Sequence, residues 1–282
     1  MARKKRGAVL CSSCRQLISV HEKRCPYCGA VAPSLFGFGP DLHVLFRDHL
    51  DLSRVTMGLC IFMYSLSLII DPGCIDTGIH LGFASPSSPA LAALGMTSRA
   101  TLLAGAWWTL LTATFLHGSL IHIGFNLMWI RALAPTTIRE FGAGRFVILY
   151  VLSGVGCFLL SDLVNGAPTI GASGAVFGLM GALLAYGKRR GGTFGQALRR
   201  DMLYWAGLAF FLGMMMGGVN NTGHAGGFVT GLILGWLMPY KDRKPETRLA
   251  QISALLLLGL TVAAFVISFV TIGPLVRMGD CP

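Results

Sequence analysis

Seven apolar segments, separated by polar stretches of varying length, follow one another along this 282-residue chain. They cover residues 52–70, 117–137, 144–163, 171–187, 202–217, 223–240 and 249–273. Each segment is close to the length of about 20 residues that an α-helix needs to cross the hydrocarbon core of a bilayer. The pattern predicts an all-α polytopic membrane protein with seven spanning helices, of which the fifth is the shortest and is expected to tilt or move.

The composition agrees with a membrane location. Hydrophobic residues make up 54% of the chain and charged residues 12%, whereas a soluble domain is about a quarter charged. The 37 glycines fit the same interpretation, because small residues allow membrane helices to approach each other closely. Residues 71–116 are semi-apolar and contain two tryptophans, so they are predicted to lie at the membrane interface.

Lysine and arginine are distributed unevenly between the two ends of the predicted helices. When the N-terminus is placed in the cytoplasm, 21 of the 23 basic residues fall in inside segments, and Arg99 and Arg277 fall outside. This asymmetry predicts a cytoplasmic N-terminus and an external C-terminus. It also explains the net charge of +11 without nucleic acid as a partner. Because no signal or transit peptide is recognisable, we expect a bacterial inner membrane.

Polar residues that suit acyl-transfer chemistry stand at the external ends of the second, fourth and sixth segments. The stretches are HGSLIHIGFN from His117 to Asn126, GASG around Ser173, and GHAGGFVTG around His224. All three helices enter from outside, so these residues are predicted to lie within about three turns of the same membrane surface. A serine hydroxyl beside an imidazole is the arrangement of an activated nucleophile.

Two glycine stripes favour contact between the fourth and sixth segments. They consist of Gly171, Gly174, Gly178 and Gly181 in the fourth segment and Gly223, Gly227, Gly231 and Gly235 in the sixth. Because glycines let two helix backbones touch, the stripes can bring the Ser173 hydroxyl against the His224 imidazole.

No carboxylate is predicted to join this pair. Asp162 is the only acidic residue within a segment, and at the external end of its helix it is expected to face water or lipid headgroups. The prediction is therefore a Ser–His dyad rather than a triad. His122, Asn126 and the backbone N–H of Ser173 are candidate donors to an oxyanion.

The three motifs, in this combination and order, resemble the rhomboid family of intramembrane serine proteases. The resemblance covers roughly residues 52–240 and implies a six-helix protease core, followed in 241–282 by a cytoplasmic loop and a seventh transmembrane helix. It implies that the substrates are membrane proteins with a transmembrane helix, cleaved within the lipid bilayer without a cofactor for catalysis. The oligomeric state stays open.

The resemblance also implies roles for individual residues. Ser173 would be the nucleophile and His224 the general base, with His122 and Asn126 in the oxyanion hole. Two supporting positions are His117, which holds the loop before the second span, and Phe177, whose ring packs on the catalytic imidazole. One departure is Thr109, because the family commonly has an arginine after Trp108 that anchors the outer loop.

Other interpretations of these residues stay open at the level of sequence. A serine between glycines in a membrane helix often serves packing, and the histidines His117, His122 and His224 could bind a metal. A catalytically inactive rhomboid-like protein that binds membrane clients is the main alternative. A transporter is disfavoured, since no charged residue lies at mid-membrane.

A separate motif occupies residues 1–31, ahead of a predicted linker at 32–51. Cys11 and Cys14 form one C-x2-C pair and Cys25 and Cys28 a second, with ten residues between the pairs. Two such pairs can close a tetrahedral site, so a zinc-ribbon-like module with structural zinc is predicted. Iron is the alternative metal, and disulfides are disfavoured in a reducing cytoplasm.

The remaining cysteines are predicted to play simpler roles. Cys60 and Cys157 fall within spanning segments, where they are expected to pack. Cys74 and Cys281 both map to the external side, where a disulfide between them is a weaker hypothesis.

Overall fold

The computed structural model describes residues 7–11, 14, 16–29, 51–78, 82–240 and 246–275. Within these ranges the chain forms one antiparallel β-hairpin, made of β1 (Ala8–Leu10) and β2 (Leu17–Ser19), and ten α-helices. In chain order the helices are α1 (Leu52–Ile70), α2 (Ser88–Ala93), α3 (Arg99–Leu103), α4 (Thr109–Thr112), α5 (Leu120–Phe141), α6 (Ala143–Val164), α7 (Ser173–Arg190), α8 (Gly192–Met215), α9 (Asn221–Leu237) and α10 (Arg248–Thr271).

The seven long helices correspond one to one with the seven predicted spans, so the predicted all-α polytopic fold is confirmed. The fifth span differs most, because α8 begins at Gly192 rather than at residue 202 and has 24 residues. The polar segment that precedes its apolar half continues the same helix, and the prediction that this span is the shortest is wrong. Residues 32–50 of the predicted linker and residues 241–245 lie outside the described part of the chain.

The long helices differ in how much of their surface is available to lipid. By length and apolarity α1, α6 and α10 could each cross a membrane, and a fourth span results if Thr109–Phe115 and α5, bent by 91°, are taken as one. The helix α7 is less apolar over its whole length because it ends in Lys188, Arg189 and Arg190, and 13 of its 18 residues are buried. An interior helix of this kind contacts protein rather than lipid.

The central contact of the bundle is a backbone seam between α7 and α9. Glycines of α9 face small residues of α7 in register: Gly227 against Gly174, Gly231 against Gly178, and Gly235 against Ala182. A Cβ atom added at Gly231 would overlap the carbonyl oxygen of Gly178. Of the predicted stripes, Gly171 and Gly223 do not take part, since Gly171 faces His122 and Gly223 faces Cys157.

A chain of buried polar groups holds the segment before α5 against the end of α6. The Thr109 hydroxyl lies 3.2 Å from that of Thr97, which donates to the Asp162 carboxylate at 3.1 Å. Arg99 donates from Nε to the Asp162 backbone carbonyl at 2.8 Å. The expectation that Asp162 faces water or headgroups is therefore wrong, because its side chain is only 3% exposed and bound by residues of the outer segment.

The cysteines of the bundle divide into two groups. Cys60 and Cys157 are buried free thiols in α1 and α6, as predicted for packing residues. Cys74 is disulfide-bonded. Cys281, its predicted partner, lies outside the described residues.

Candidate active site

The structure brings Ser173 and His224 into direct contact. Ser173 is the first residue of α7, and His224 lies in the first turn of α9. The His224 Nε2 atom is 2.9 Å from the Ser173 hydroxyl oxygen. The contact depends on the backbone seam, because Gly227 lets α9 approach the α7 backbone at Gly174. A hydroxyl at this distance from an unprotonated ring nitrogen can transfer its proton to it.

The imidazole of His224 is held from two further sides. The Phe177 ring stacks on it, with ring centroids 4.4 Å apart and an interplanar angle of 15°. Asn221 Nδ2 donates to the carbonyl of Phe210 in α8 at 3.2 Å, so its Oδ1 faces His224 Nδ1 at 3.3 Å. An amide oxygen only accepts, so Nδ1 carries the proton and Nε2 presents its lone pair to Ser173.

Asn221 is a site residue that the sequence analysis missed. It precedes His224 by three residues, and residues three apart on a helix share a face. This spacing indicates in the sequence that Asn221 can contact the His224 ring. The amide oxygen of Asn221 can orient an imidazole as a carboxylate does, so a third group of the site need not be acidic.

The neighbouring Asn220 fixes the start of α9. Its Oδ1 accepts from the Gly223 N–H at 2.9 Å and caps the helix. Its Nδ2 donates to the Ser161 hydroxyl at the end of α6 and to Thr169 Oγ1 at 3.1 Å. Thr169 lies in the loop that leads to Ser173, so one amide ties together the three segments that meet at the site.

His122 lies on the other side of Ser173. The Gly118 N–H donates to His122 Nδ1 at 3.3 Å, so the neutral ring carries its proton on Nε2. A Cβ added at Gly171 would lie 2.8 Å from this Nε2 and 3.6 Å from Ser173 Oγ. Gly171 also has a φ of +128°. Glycine is therefore required at this position, because a side chain would collide with the His122 ring and is disfavoured at this φ. The His122 ring N–H and the Ser173 hydroxyl both lie near Gly171.

The two other polar residues of α5 and its preceding loop take different positions. Asn126 is buried, and its Nδ2 donates to the His122 backbone carbonyl at 2.9 Å. This bond occupies one of the two amide N–H groups. His117 is fully buried and packs edge-on against the His122 ring at a centroid distance of 5.2 Å. His117 thus contacts the residue beside the site rather than Ser173.

The four predicted metal ligands come together at the β-hairpin. Their sulfur atoms, from Cys11, Cys14, Cys25 and Cys28, all lie within 4.8 Å of one another. Two Sγ–Sγ distances are 3.8 Å and 3.6 Å, far longer than the bond of about 2.0 Å in a disulfide. A tetrahedral zinc ion with Zn–S bonds of about 2.3 Å sets its sulfurs about 3.8 Å apart. The cluster therefore fits a metal ion of this kind.

These observations define a polytopic helical membrane protein in which a serine hydroxyl and an imidazole meet at one end of the bundle. A family model described as the rhomboid domain matches residues 104–241. YdcA of Bacillus subtilis (strain 168) is 31% identical over 144 residues, which are 50% of this chain and 71% of YdcA. The chain belongs to the rhomboid family.

Two other relatives match a similar part of the chain. Rhomboid protease GluP of Bacillus subtilis (strain 168) is 28% identical over 153 residues, and RHOMBOID-like protein 4 of Arabidopsis thaliana is 33% identical over 156 residues. Each match covers 54% of this chain, but only 30% of GluP and 40% of the plant protein. The similarity therefore concerns the helical bundle and not the whole length of these relatives.

Proposed function

We propose that this protein is an intramembrane serine endopeptidase that cleaves transmembrane segments of membrane proteins with a Ser–His pair. The observation that carries the proposal is the 2.9 Å contact between Ser173 Oγ and His224 Nε2 within a bundle of the rhomboid family. The name of GluP supports a protease.

In the proposed reaction His224 Nε2 accepts the Ser173 proton while the hydroxyl oxygen attacks a peptide carbonyl carbon. The carbonyl oxygen takes up the negative charge beside Gly171. His122 Nε2–H and the Ser173 backbone N–H would donate to it there, with Asn126 contributing its remaining N–H. The imidazolium then protonates the leaving amine as the C–N bond breaks. Water attacks the acyl-enzyme with His224 again as the base.

A substrate carbonyl must leave its helical hydrogen bond before it can be attacked. We therefore expect substrates with helix-weakening residues such as glycine near the external end of their transmembrane helix. Movement of α8 and of the loop 217–223 would give lateral access from the lipid. The proposed orientation, with Ser173 near the external surface of a bacterial inner membrane and the N-terminus inside, is supported by the distribution of basic residues.

A serine-directed fluorophosphonate tests this function directly. Purified full-length protein should be labelled, and Ser173→Ala and His224→Ala should both lose the label, because the reagent requires an activated hydroxyl. An inactive rhomboid-like client-binding protein would give no label at all. Labelling that persists in Ser173→Ala would place the reactive serine elsewhere and contradict the proposal.

Asn221 is proposed as a positioning residue for the His224 imidazole. Asn221→Ala is expected to lower kcat by about tenfold to a hundredfold with little change in KM, because a hydrogen bond to the developing imidazolium is worth about 1.5–3 kcal/mol. Asn221→Asp keeps the acceptor oxygen and should recover most of the lost rate. Initial-rate kinetics on a membrane-anchored reporter would measure this. Equal losses in both variants would indicate a structural role only.

We propose that the four-cysteine cluster holds one structural zinc ion. Metal analysis of the full-length protein should find about one zinc per chain, and Cys25→Ser should reduce this strongly, because three thiolates leave the tetrahedral site incomplete. Cys60→Ser, which removes a buried thiol of the bundle, is the matched control and should keep the zinc. Peptide cleavage should continue in Cys25→Ser, since a site with four protein ligands has no open position for catalysis. Iron in place of zinc would contradict the assignment.

A further inference from the structure

A groove between α8 and α9 opens on the outer surface of the bundle, with α7 as its floor. It has a volume of about 540 Å³. Its walls are apolar and include Leu184 of α7, Leu203 of α8, and Leu232 and Ile233 of α9. These walls lie in the half of the bundle away from Ser173. Because they face the surroundings of a membrane-embedded bundle, hydrocarbon rather than water is the natural occupant.

The groove exists because α8 is fixed to α7 at one end and touches α9 little. A Cβ added at Gly187 would lie 2.8 Å from the Gly195 carbonyl oxygen and 3.2 Å from the Arg199 backbone nitrogen. This tight crossing joins α7 to the beginning of α8, whereas α8 has few contacts with α9. The same crossing places Arg199 next to the turn of α7 that carries Lys188.

Two basic side chains and one aromatic ring stand at the end of the groove. Lys188 and Arg199 both line it, and the Lys188 ammonium lies 5.5 Å from the centre of the Trp236 ring. Neither basic side chain forms an ion pair within the described residues. Arg199 also borders an adjoining recess of about 300 Å³ together with Arg200. The apolar walls therefore end in a region of positive charge.

We propose that this groove binds one anionic phospholipid. Its phosphate would lie between Lys188 and Arg199, and an acyl chain would follow the apolar walls. Basic pockets between transmembrane helices on the cytoplasmic side recognise anionic headgroups, and a tryptophan suits the interfacial depth. Lys188 is fifteen residues along α7 from Ser173, which is about 22 Å of helix. The lipid would thus be held far from the candidate active site, and the proposal does not depend on proteolysis.

Native mass spectrometry of the full-length protein, released from detergent, tests the proposal. Dioleoyl-phosphatidylglycerol and dioleoyl-phosphatidylcholine would be added separately at equal concentrations. The wild type should retain the anionic lipid in preference to the zwitterionic one. The double variant Lys188→Gln/Arg199→Gln should bind phosphatidylglycerol about 25-fold more weakly, because each basic residue near the membrane surface contributes about a factor of five.

Two further variants distinguish lipid binding in the groove from a general attraction of anionic lipid to the positively charged protein. Arg54→Gln/Arg131→Gln removes two exposed positive charges outside the groove and should keep the bound lipid. Leu203→Trp fills the groove without changing the charge and should lose it. Equal binding of both lipids by the wild type, or equal loss in the control, would overturn the proposal. A lipid-free dimer that Leu203→Trp dissociates would also overturn it and identify the groove as a contact between copies.

Discussion

Replacing Ser173 with alanine is expected to abolish cleavage of a membrane-anchored reporter, with a loss of at least about 10⁴-fold in kcat. The expected loss is this large because the proposed reaction has no other nucleophile, and members of such a unit act together. His224→Ala should cause a similar loss, and the double variant should be little worse than either single one. The measurement is single-turnover cleavage in detergent or in vesicles.

The Ser173→Ala protein should remain folded. The substitution removes one hydrogen bond, worth about 0.5–1.5 kcal/mol, from a helix whose buried residues are unchanged. Ser268→Ala, which deletes a buried hydroxyl of α10, is a matched control and should keep full activity. Undiminished cleavage by a folded Ser173→Ala protein would rule out Ser173 as the nucleophile.

Replacing Gly231 with valine is expected to have the largest effect on the fold. The new Cβ would overlap the carbonyl oxygen of Gly178, and backbone on both sides of the seam cannot move aside as a side chain can. Forcing α7 and α9 apart should cost at least about 3 kcal/mol. It should also separate Ser173 from His224. The measurement is thermal unfolding of the detergent-solubilised protein, combined with fluorophosphonate labelling.

Gly259→Val provides the comparison for this effect. Gly259 lies in α10, and a Cβ added there meets nothing within 4 Å. The chemical change is the same, but no backbone opposes it, so this variant should unfold at nearly the temperature of the wild type. If Gly231→Val proved equally stable, close packing of the seam would not be what holds α7 against α9.

The positions of the spanning helices could be predicted because each has a long apolar segment, and α1 matches its prediction at both ends. The contact between Ser173 and His224 followed from the glycine pattern, since glycine spacing along a helix is visible in sequence. The start of α8 could not be predicted in the same way. Its first ten residues include only three apolar side chains and end in three charged residues, so apolarity gave no sign that the helix begins ahead of the membrane segment.

The environment of Asp162 could not be predicted because it depends on a contact between distant residues. Asp162 and Thr97 are 65 residues apart, and nothing in the local sequence of either indicates the other. The same contact explains how this segment is held at Thr109, where the resemblance implied an arginine. A chain of hydroxyls from Thr109 through Thr97 to the Asp162 carboxylate anchors it.

The Asn221 amide links the position of α8 to the orientation of the His224 ring. It bridges the His224 ring and the Phe210 carbonyl, and so connects α9 to α8, two helices that otherwise have few contacts with each other. An outward movement of α8 that admitted a substrate helix would move the Phe210 carbonyl away from Asn221. The Asn221 amide would then no longer hold the His224 proton on Nδ1. In the proposed reaction, substrate entry would then precede peptide-bond cleavage as a separate step. A partly bound substrate helix would dissociate without being cleaved.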